Sequence, residues 1–251
     1  MDSSEITKFI KKHGSKELNE NFMGVYAADQ VINFEKKMKK ISRHLKMGCC
    51  ILNTDRYDKP GQHWVSLIQL DPGNCFLFDS FGTVGYKHFF LAEDEDEMSK
   101  FLDFKKYLNP SKTTGEKTEL MKTVFHSKKY SEALKSGKLN EISDEGKGLC
   151  NAYKIMGETS GKDTVNIYHI STPLQDPTNF YCGVFCLYTL SHVYDPHESL
   201  GVHDMKKSVE TIAHILDQIY SHDKNEEIRY EENTERLRRF VKTYNIKGKF
   251  E

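Results

Sequence analysis

The segment QDPTNFYCGVFCLYTL, residues 175–190, decides the fold and raises the question of what its first cysteine does. The run after Cys182 is apolar on nearly all sides, which is typical of a helix buried in the middle of a core. Pro177, Thr178 and Asn179 are residue types that start helices, so the pattern predicts Cys182 in the first helical turn. Cys182 is either one more buried thiol, as most free cysteines are, or a nucleophile at a helix start.

Length and composition are typical of a single globular domain. The chain has 251 residues, 37% of them apolar and 12% aromatic, which is enough for one core with insertions. A formal net charge of -1 provides no overall field for holding nucleic acid or anionic lipid. No segment has the length and hydropathy of a signal peptide or a membrane span, so we expect a protein that is neither secreted nor inserted into a membrane.

The six cysteines are too few and too irregularly spaced for a secreted disulfide scaffold. We expect them to be mostly reduced, in a cytosolic or nuclear compartment. Cys182 and Cys186 are four residues apart, as two metal ligands on one helix would be, but no His or Cys at ligand spacing accompanies them. A metal site is therefore not expected.

The hydrophobic pattern predicts an α+β fold in which helices flank a small sheet. Strands are expected in four runs, with a hairpin turn at 71–74 between the second and the third. The runs are CCILN (49–53), HWVSLIQL (63–70), CFLFDSFG (75–82) and TVNIYHI (164–170).

Helical spacing is expected in the remaining long segments. Two helices around a loop at 19–30 are predicted up to about residue 46, and helical spacing also covers 98–138. Residues 136–148 are expected to form an exposed loop, and two amphipathic helices are expected in the tail after residue 204.

The positions of Gln175 and Gly183 in the sequence, close to Cys182, suggest a chemical role for both. The amide of Gln175, in the loop before the helix, could donate to the oxyanion that forms when a thiolate attacks a carbonyl. Gly183 would leave room for a substrate backbone. Taken alone, a glutamine such as Gln175 is more often an ordinary exposed residue.

A base and an orienting acid are available on the predicted hairpin. His63 opens one strand and Asp79 closes its partner at the same end, and a nucleophilic thiol needs a base whose second ring nitrogen is held by an acceptor. A strict two-residue turn would pair Asp79 with Ser66 and turn it away from His63, so a bulge is required. Ten other histidines occur, and His63 alone is also consistent with a partly buried structural residue.

These residues, in this order, resemble a known family of enzymes. HW at 63–64, FLFDSFG at 76–82, LQ at 174–175 and CGVFC at 182–186 are similar to the adenain family, the cysteine proteases with which adenoviruses mature their virions. The likeness extends to NFMGVYAADQ (21–30), CCILNTDRYDKPGQHW (49–64) and EENTERLRRFVKTY (231–244). It covers most of the chain apart from roughly residues 92–160.

The resemblance implies a papain-like cysteine protease in the adenain arrangement, which the SUMO-specific proteases share. The catalytic residues would be His63 as base, Asp79 as its orienting acid, Cys182 as nucleophile and Gln175 in the oxyanion hole. Trp64, Gly183 and Gly24 would contribute to substrate binding. The chain would be one protease domain, residues 1–251, with a helical insertion at about 92–160.

The same resemblance implies a viral maturation endopeptidase that cuts viral precursor proteins at Gly-Gly or Gly-X sites, in the virion and in the cytoplasm or nucleus of the host cell. No cofactor would be required for the chemistry. The family uses an activating peptide and DNA. Here Thr164 stands at the position of the cysteine that binds the peptide. A dense basic stripe occurs only at 36–46, where a solvated helix face is the usual explanation.

Two other functions remain open from the sequence. Adenoviral enzymes usually have a glutamate where this chain has Asp79, whereas SUMO-specific relatives use aspartate, so an isopeptidase that removes ubiquitin or a related modifier is the alternative. A binding module with a degenerate site is the third candidate, because a fold alone does not fix a function. The sequence gives no indication of the oligomeric state.

Overall fold

The structure is a computed structural model that describes residues 1–30, 48–59, 63–82, 97, 99–106, 120–139, 144–195 and 208–246. Within these residues the fold is α+β, with one mixed sheet of seven strands and seven helices. The helices are α1 (Ser3–His13), α2 (Lys16–Asn21), α3 (Ser127–Lys135), α4 (Asp144–Ser160), α5 (Cys182–Val193), α6 (Val209–Ile219) and α7 (Glu226–Tyr244). The strands are β1 (Phe22–Tyr26), β2 (Cys49–Asn53), β3 (Trp64–Asp71), β4 (Asn74–Phe78), β5 (Leu102–Lys106), β6 (Leu120–Phe125) and β7 (Val165–Ile170).

The strand order across the sheet is β1-β2-β3-β4-β7-β6-β5. β1 pairs with β2 and β4 pairs with β7 in parallel, while the other neighbours are antiparallel. Because of these directions, the ends of β1, β2, β4 and β7 and the start of β3 all meet at one edge of the sheet.

Two apolar layers cover the two faces of the sheet. Successive strand residues alternate between them: Cys49 and Ile51 belong to one layer, and Cys50 and Leu52 belong to the other. The first layer contains buried residues of α1, α5, α6 and α7, and the second contains those of α3 and α4. Nine of the twelve residues of α5 are buried, so this helix lies in the core, as its apolar sequence predicts.

The predicted strands at 49–53, 63–70, 75–82 and 164–170 are confirmed as β2, β3, β4 and β7, and the tail helices as α6 and α7. Other predictions are wrong. The helical prediction for 98–138 fails at β5 and β6, the loop at 19–30 contains β1, and the loop at 136–148 gives way to α4 at Asp144. The expected insertion is therefore only partly helical. The basic stripe at 36–46 lies outside the described residues.

The hairpin of β3 and β4 contains the bulge that is needed to bring His63 and Asp79 to one face. Leu70 is an extra residue on β3, since the register shifts by one residue between Gln69 and Asp71. Without this residue Asp79 would face away from His63, and with it the two side chains come to one face of the sheet.

Candidate active site

His63 and Asp79 form a buried pair at this edge of the sheet. His63 Nε2 lies 2.7 Å from Asp79 Oδ1, and both side chains are almost fully inaccessible to solvent. The backbone N–H of Phe81 donates to the same carboxylate oxygen over 2.8 Å, which fixes the carboxylate. The Phe81 ring stacks on the imidazole at 4.4 Å between ring centroids. The pair is therefore held rigidly and shielded on one side.

The side chain of Cys182 lies close enough to His63 to affect its pKa. Burial lowers the pKa of His63, but the charge of Asp79 and the hydrogen bonds to Asp79 and Cys182 outweigh burial and raise it to about 9. Because Asp79 occupies Nε2, Nδ1 is the ring nitrogen that remains to take up a proton from the thiol. The structure thus brings His63, Asp79 and Cys182 together at one site.

Cys182 is the first residue of α5, as predicted, and is only 5% exposed. The first backbone N–H groups of an α-helix have no partner within the helix and favour an anion, so this position suits a thiolate. Pro177, Thr178 and Asn179, which were predicted to start the helix, lie before it. Asp176 accepts hydrogen bonds from the N–H and the hydroxyl of Thr178, forming a separate turn, and the helix begins only after Tyr181.

The other cysteines are also free and buried, and four of them show no feature of a nucleophile. Burial raises the pKa of the thiols of Cys50, Cys75, Cys150 and Cys186. Cys186, one turn after Cys182 on the same helix, donates to the backbone carbonyl of Trp64 over 3.4 Å. It therefore packs α5 onto β3.

Gln175 lies in the loop between β7 and α5 and is buried, unlike an ordinary surface glutamine. Its Nε2 donates to the carbonyl of Asn179 over 2.9 Å, and its Oε1 accepts from the hydroxyl of Ser80 over 2.6 Å. The carbonyl of Ser80 also accepts from the backbone N–H groups of Leu174 and Gln175. The amide is therefore fixed at both ends in the loop that leads to Cys182.

The carboxyl-terminal helix holds the same loop from the other side. Arg229 donates to the carbonyl of Pro173 over 2.8 Å, and Asn233 donates to that of Leu174 over 3.1 Å. Both side chains are buried, so the loop is attached to α7 as well as to the end of β4.

Trp64 and Gly183 pack against each other beside Cys182. A Cβ at position 183 would lie 3.3 Å from Trp64 Cδ1 and 3.3 Å from the Met1 Cβ, so a side chain here would require these neighbours to shift by a few tenths of an ångström. The indole N–H of Trp64 donates to the Met1 carbonyl over 3.2 Å. Trp64 also lines a cavity of about 240 Å³, together with Tyr26, Asn53 and Tyr57 among others. This cavity is thus next to the predicted tryptophan, and Cys182 is not among the residues that line it.

Gly24 is placed in β1 at an irregularity of the strand, with a φ of 131°. The atoms nearest to a Cβ at this position belong to Tyr26, which lines the cavity beside Trp64. A role of Gly24 in substrate binding stays a prediction.

A larger cavity, of about 510 Å³, lies away from these residues, between the C-terminal parts of α5 and α7. Its polar groups are engaged locally: His192 Nδ1 contacts the Tyr188 carbonyl, Arg236 donates to the Gln218 carbonyl, and Arg239 pairs with Glu235. Among the described residues, no group of three or more His, Cys, Asp or Glu side chains is arranged to hold a metal ion. No helix in the described part of the chain is long and apolar enough to cross a membrane.

Two residues at the site were not singled out from the sequence. Ser80 and Phe81 lie in the quoted segment FLFDSFG, next to the predicted acid, and this adjacency was the only signal for them. The partner of Ser80 is 95 residues away, so no local pattern indicates the contact.

Comparisons with protein-family models and with curated proteins found no match.

Proposed function

We propose that this chain is a cysteine endopeptidase with a papain-like site in the adenain arrangement, and that it matures viral precursor proteins by cutting at Gly-Gly or Gly-X sites. One observation supports the proposal above the others. A cysteine at a helix start lies close enough to a histidine to affect its pKa, and a buried carboxylate holds one ring nitrogen of that histidine. The substrate class rests on the resemblance to the adenains.

Activation of the nucleophile is the first step. Transfer of the thiol proton of Cys182 to Nδ1 gives a thiolate beside an imidazolium, with Asp79 stabilising the positive charge. The raised pKa of His63 means that the imidazole retains this proton at neutral pH, so the imidazolium is already present before the substrate binds.

Attack on the scissile carbonyl follows. The sulfur forms a bond to the carbonyl carbon, and the electron pair of the C=O bond moves to the oxygen. Gln175 Nε2 and the backbone N–H of Cys182, at the start of α5, would donate to this oxyanion. When the tetrahedral intermediate collapses, the C–N bond breaks and the proton on His63 passes to the departing amine.

Hydrolysis of the acyl-enzyme completes the cycle. His63 takes a proton from water, the resulting hydroxide attacks the thioester, and collapse releases the carboxylic acid. The thiolate leaves beside the protonated imidazole, which restores the starting pair.

Cleavage of a fluorogenic peptide amide that ends in Gly-Gly tests the proposal. Cys182→Ala should reduce turnover by at least about 10³-fold without lowering the melting temperature greatly, because it removes the nucleophile alone. Cys186→Ala is the matched control, since it removes a buried thiol one turn further along the same helix. Retained cleavage in Cys182→Ala, or equal loss in both variants, would refute the assignment.

An isopeptidase acting on a ubiquitin-like modifier is the second candidate, favoured by the aspartate at position 79. Viral precursors and ubiquitin-like modifiers both present Gly-Gly to the enzyme, so the four candidate catalytic residues do not distinguish the two functions. Intact viral capsid and core precursors, and ubiquitin or SUMO carrying a C-terminal vinyl sulfone, should be offered to the same preparation. New N-termini in the precursors favour the maturation protease, and rapid labelling of Cys182 by a modifier probe favours the isopeptidase.

A further inference from the structure

The adjacent residues Asp79 and Ser80 connect the two halves of the proposed site. Asp79 holds His63 over 2.7 Å, and the hydroxyl of Ser80 donates to Gln175 Oε1 over 2.6 Å. Both Ser80 and Gln175 are about 1% exposed. The end of β4 therefore contacts the base through one residue and the oxyanion donor through the next.

The hydrogen bonds of Gln175 determine which way its amide points. The group facing Asn179 must be the NH2, because a backbone carbonyl only accepts, and the distance from Nε2 to that carbonyl is 2.9 Å. The end facing Ser80 is therefore the oxygen, and the serine hydroxyl must be the donor. If this hydroxyl were absent, the buried Oε1 would lose its partner and the amide its fixed orientation.

One N–H of Gln175 remains for chemistry. An amide NH2 has two hydrogens, and the bond to Asn179 uses one. In the part of the chain that the structure describes, no further hydrogen bond of this nitrogen occurs. The remaining hydrogen can donate to an oxyanion only while the NH2 keeps its position.

We propose that Ser80 is a positioning residue for the oxyanion hole, which fixes the amide of Gln175 so that its free N–H is directed at the reacting carbonyl. Ser80 itself does not touch the substrate. The inference rests on the proposed cysteine protease function and names a residue on which the rate of acyl transfer depends.

Two reactions of the Cys182 thiol distinguish a loss of Gln175 positioning from a general disturbance of the site. Hydrolysis of the Gly-Gly peptide amide passes through an oxyanion, whereas alkylation of Cys182 by iodoacetamide does not. Ser80→Ala should lower kcat by about tenfold, the rate equivalent of one ordinary hydrogen bond, with KM and the alkylation rate unchanged. A fall of both rates together would assign Ser80 a merely structural role and overturn the inference.

Conservative and remote variants complete the comparison. Ser80→Thr retains the hydroxyl and should restore most of kcat. Ser131→Ala is the control, because Ser131 is also a buried serine, whose hydroxyl donates to Glu158 over 3.1 Å away from the site, and it should leave kcat unchanged. Equal values of kcat for Ser80→Ala and the unchanged protein would contradict the inference.

A double-mutant cycle with Gln175 tests the route of the effect. If Ser80 acts through Gln175, adding Ser80→Ala to Gln175→Ala should lower kcat no further. Independent, multiplying effects would overturn the inference while leaving the protease assignment intact. Absence of cleavage by the unchanged protein would overturn the proposed function, and the inference with it.

Discussion

His63 experiences opposing influences at the scale of the single residue. Burial disfavours its charged form, while the Asp79 carboxylate and the hydrogen bonds to Asp79 and Cys182 favour that form and raise its pKa to about 9. The second effect prevails because the carboxylate lies only 2.7 Å from the ring. The histidine is therefore mostly protonated at neutral pH, which suits a partner for a thiolate.

The pH dependence of kcat/KM should report the raised pKa of His63. Activity that requires a protonated His63 is lost as the pH rises through its pKa, so the alkaline limb for peptide amide hydrolysis should have its midpoint near 9. Asp79→Asn removes the charge that raises the pKa and should move this limb to lower pH. Profiles of both proteins measured between about pH 5 and pH 10 check the prediction.

Asp103→Asn is the matched control for this experiment. Asp103 Oδ2 lies 2.8 Å from His126 Nε2, so this substitution also breaks a histidine–carboxylate pair, but an exposed one between β5 and α3. Its profile should coincide with that of the unchanged protein. The assignment of the limb to His63 would be wrong if Asp79→Asn left the limb in place.

The sequence indicated the four candidate catalytic residues because each has a chemical type that its role demands. A thiol, an imidazole, a carboxylate and an amide at a helix start and at two strand ends can be recognised without coordinates. Ser80 could not be recognised, since its importance depends on a contact with Gln175 across the fold.

At the scale of elements, two loops cross at Gly82. Its φ is 75°, and a Cβ there would lie 2.6 Å from the backbone nitrogen of Pro173. This close approach lets the segment after β7 reach the end of β4, where Leu174 and Gln175 donate to the Ser80 carbonyl. A side chain at position 82 would push the two loops apart.

Gly82→Ala should therefore reduce both stability and turnover. The free energy of unfolding should fall by roughly 1–3 kcal/mol from the positive φ, and more from the clash, and kcat should fall because Gln175 moves. Urea unfolding and peptide hydrolysis measure the two effects.

Gly161→Ala separates strain from displacement. Gly161 also has a positive φ, of 62°, but nothing lies within 4 Å of a Cβ placed there. The Gly161→Ala variant should have a lower free energy of unfolding and an unchanged kcat. The proposed crossing would be contradicted if Gly82→Ala retained full kcat.

Elements were predictable where the local pattern and the tertiary pairing agree. The bulge in the β3–β4 hairpin followed from the need to bring His63 and Asp79 to one face. β5 and β6 were missed because their short, polar-interrupted sequences resemble helical spacing. They become strands because β6 pairs with β7 and β5 pairs with β6. Such pairing over a long distance in the chain outweighs local propensity.

At the scale of the whole molecule, buried histidines make stability depend on pH in two directions. Burial lowers the pKa of His169, His192 and His222, so their contribution is present above about 6.5 and is lost as the pH falls. The pKa of His63 is raised, so its contribution is present below about 6.5 and is lost as the pH rises towards 9.

The free energy of unfolding should consequently be highest near pH 6.5, and His63→Gln should remove part of the loss on the alkaline side. The difference between this variant and the unchanged protein isolates His63 from the other titrating groups. Urea unfolding at about pH 5, 6.5 and 8.5 measures it. An identical alkaline loss in both proteins would show that His63 is not charged by its surroundings.

Only part of the architecture could be predicted from the sequence. The central apolar helix and the α+β class were predicted, whereas the extent of the sheet was not, since the sequence suggested a small sheet and the described residues already form seven strands. Successive side chains of β2, β3 and β4 point to opposite faces of the sheet, and an apolar layer covers each face. Because residues on both faces are buried, these strands do not alternate between apolar and polar residues.

Labelling with a peptide vinyl sulfone that ends in Gly-Gly tests the central claim most directly, because this probe traps only a nucleophile that a substrate-like chain can reach. Mass spectrometry of the digested product should find a single adduct, on Cys182, whose rate of formation falls sharply in His63→Gln and is unchanged in Cys186→Ala. An adduct on another cysteine, or the same rate without the His63 imidazole, would contradict the account.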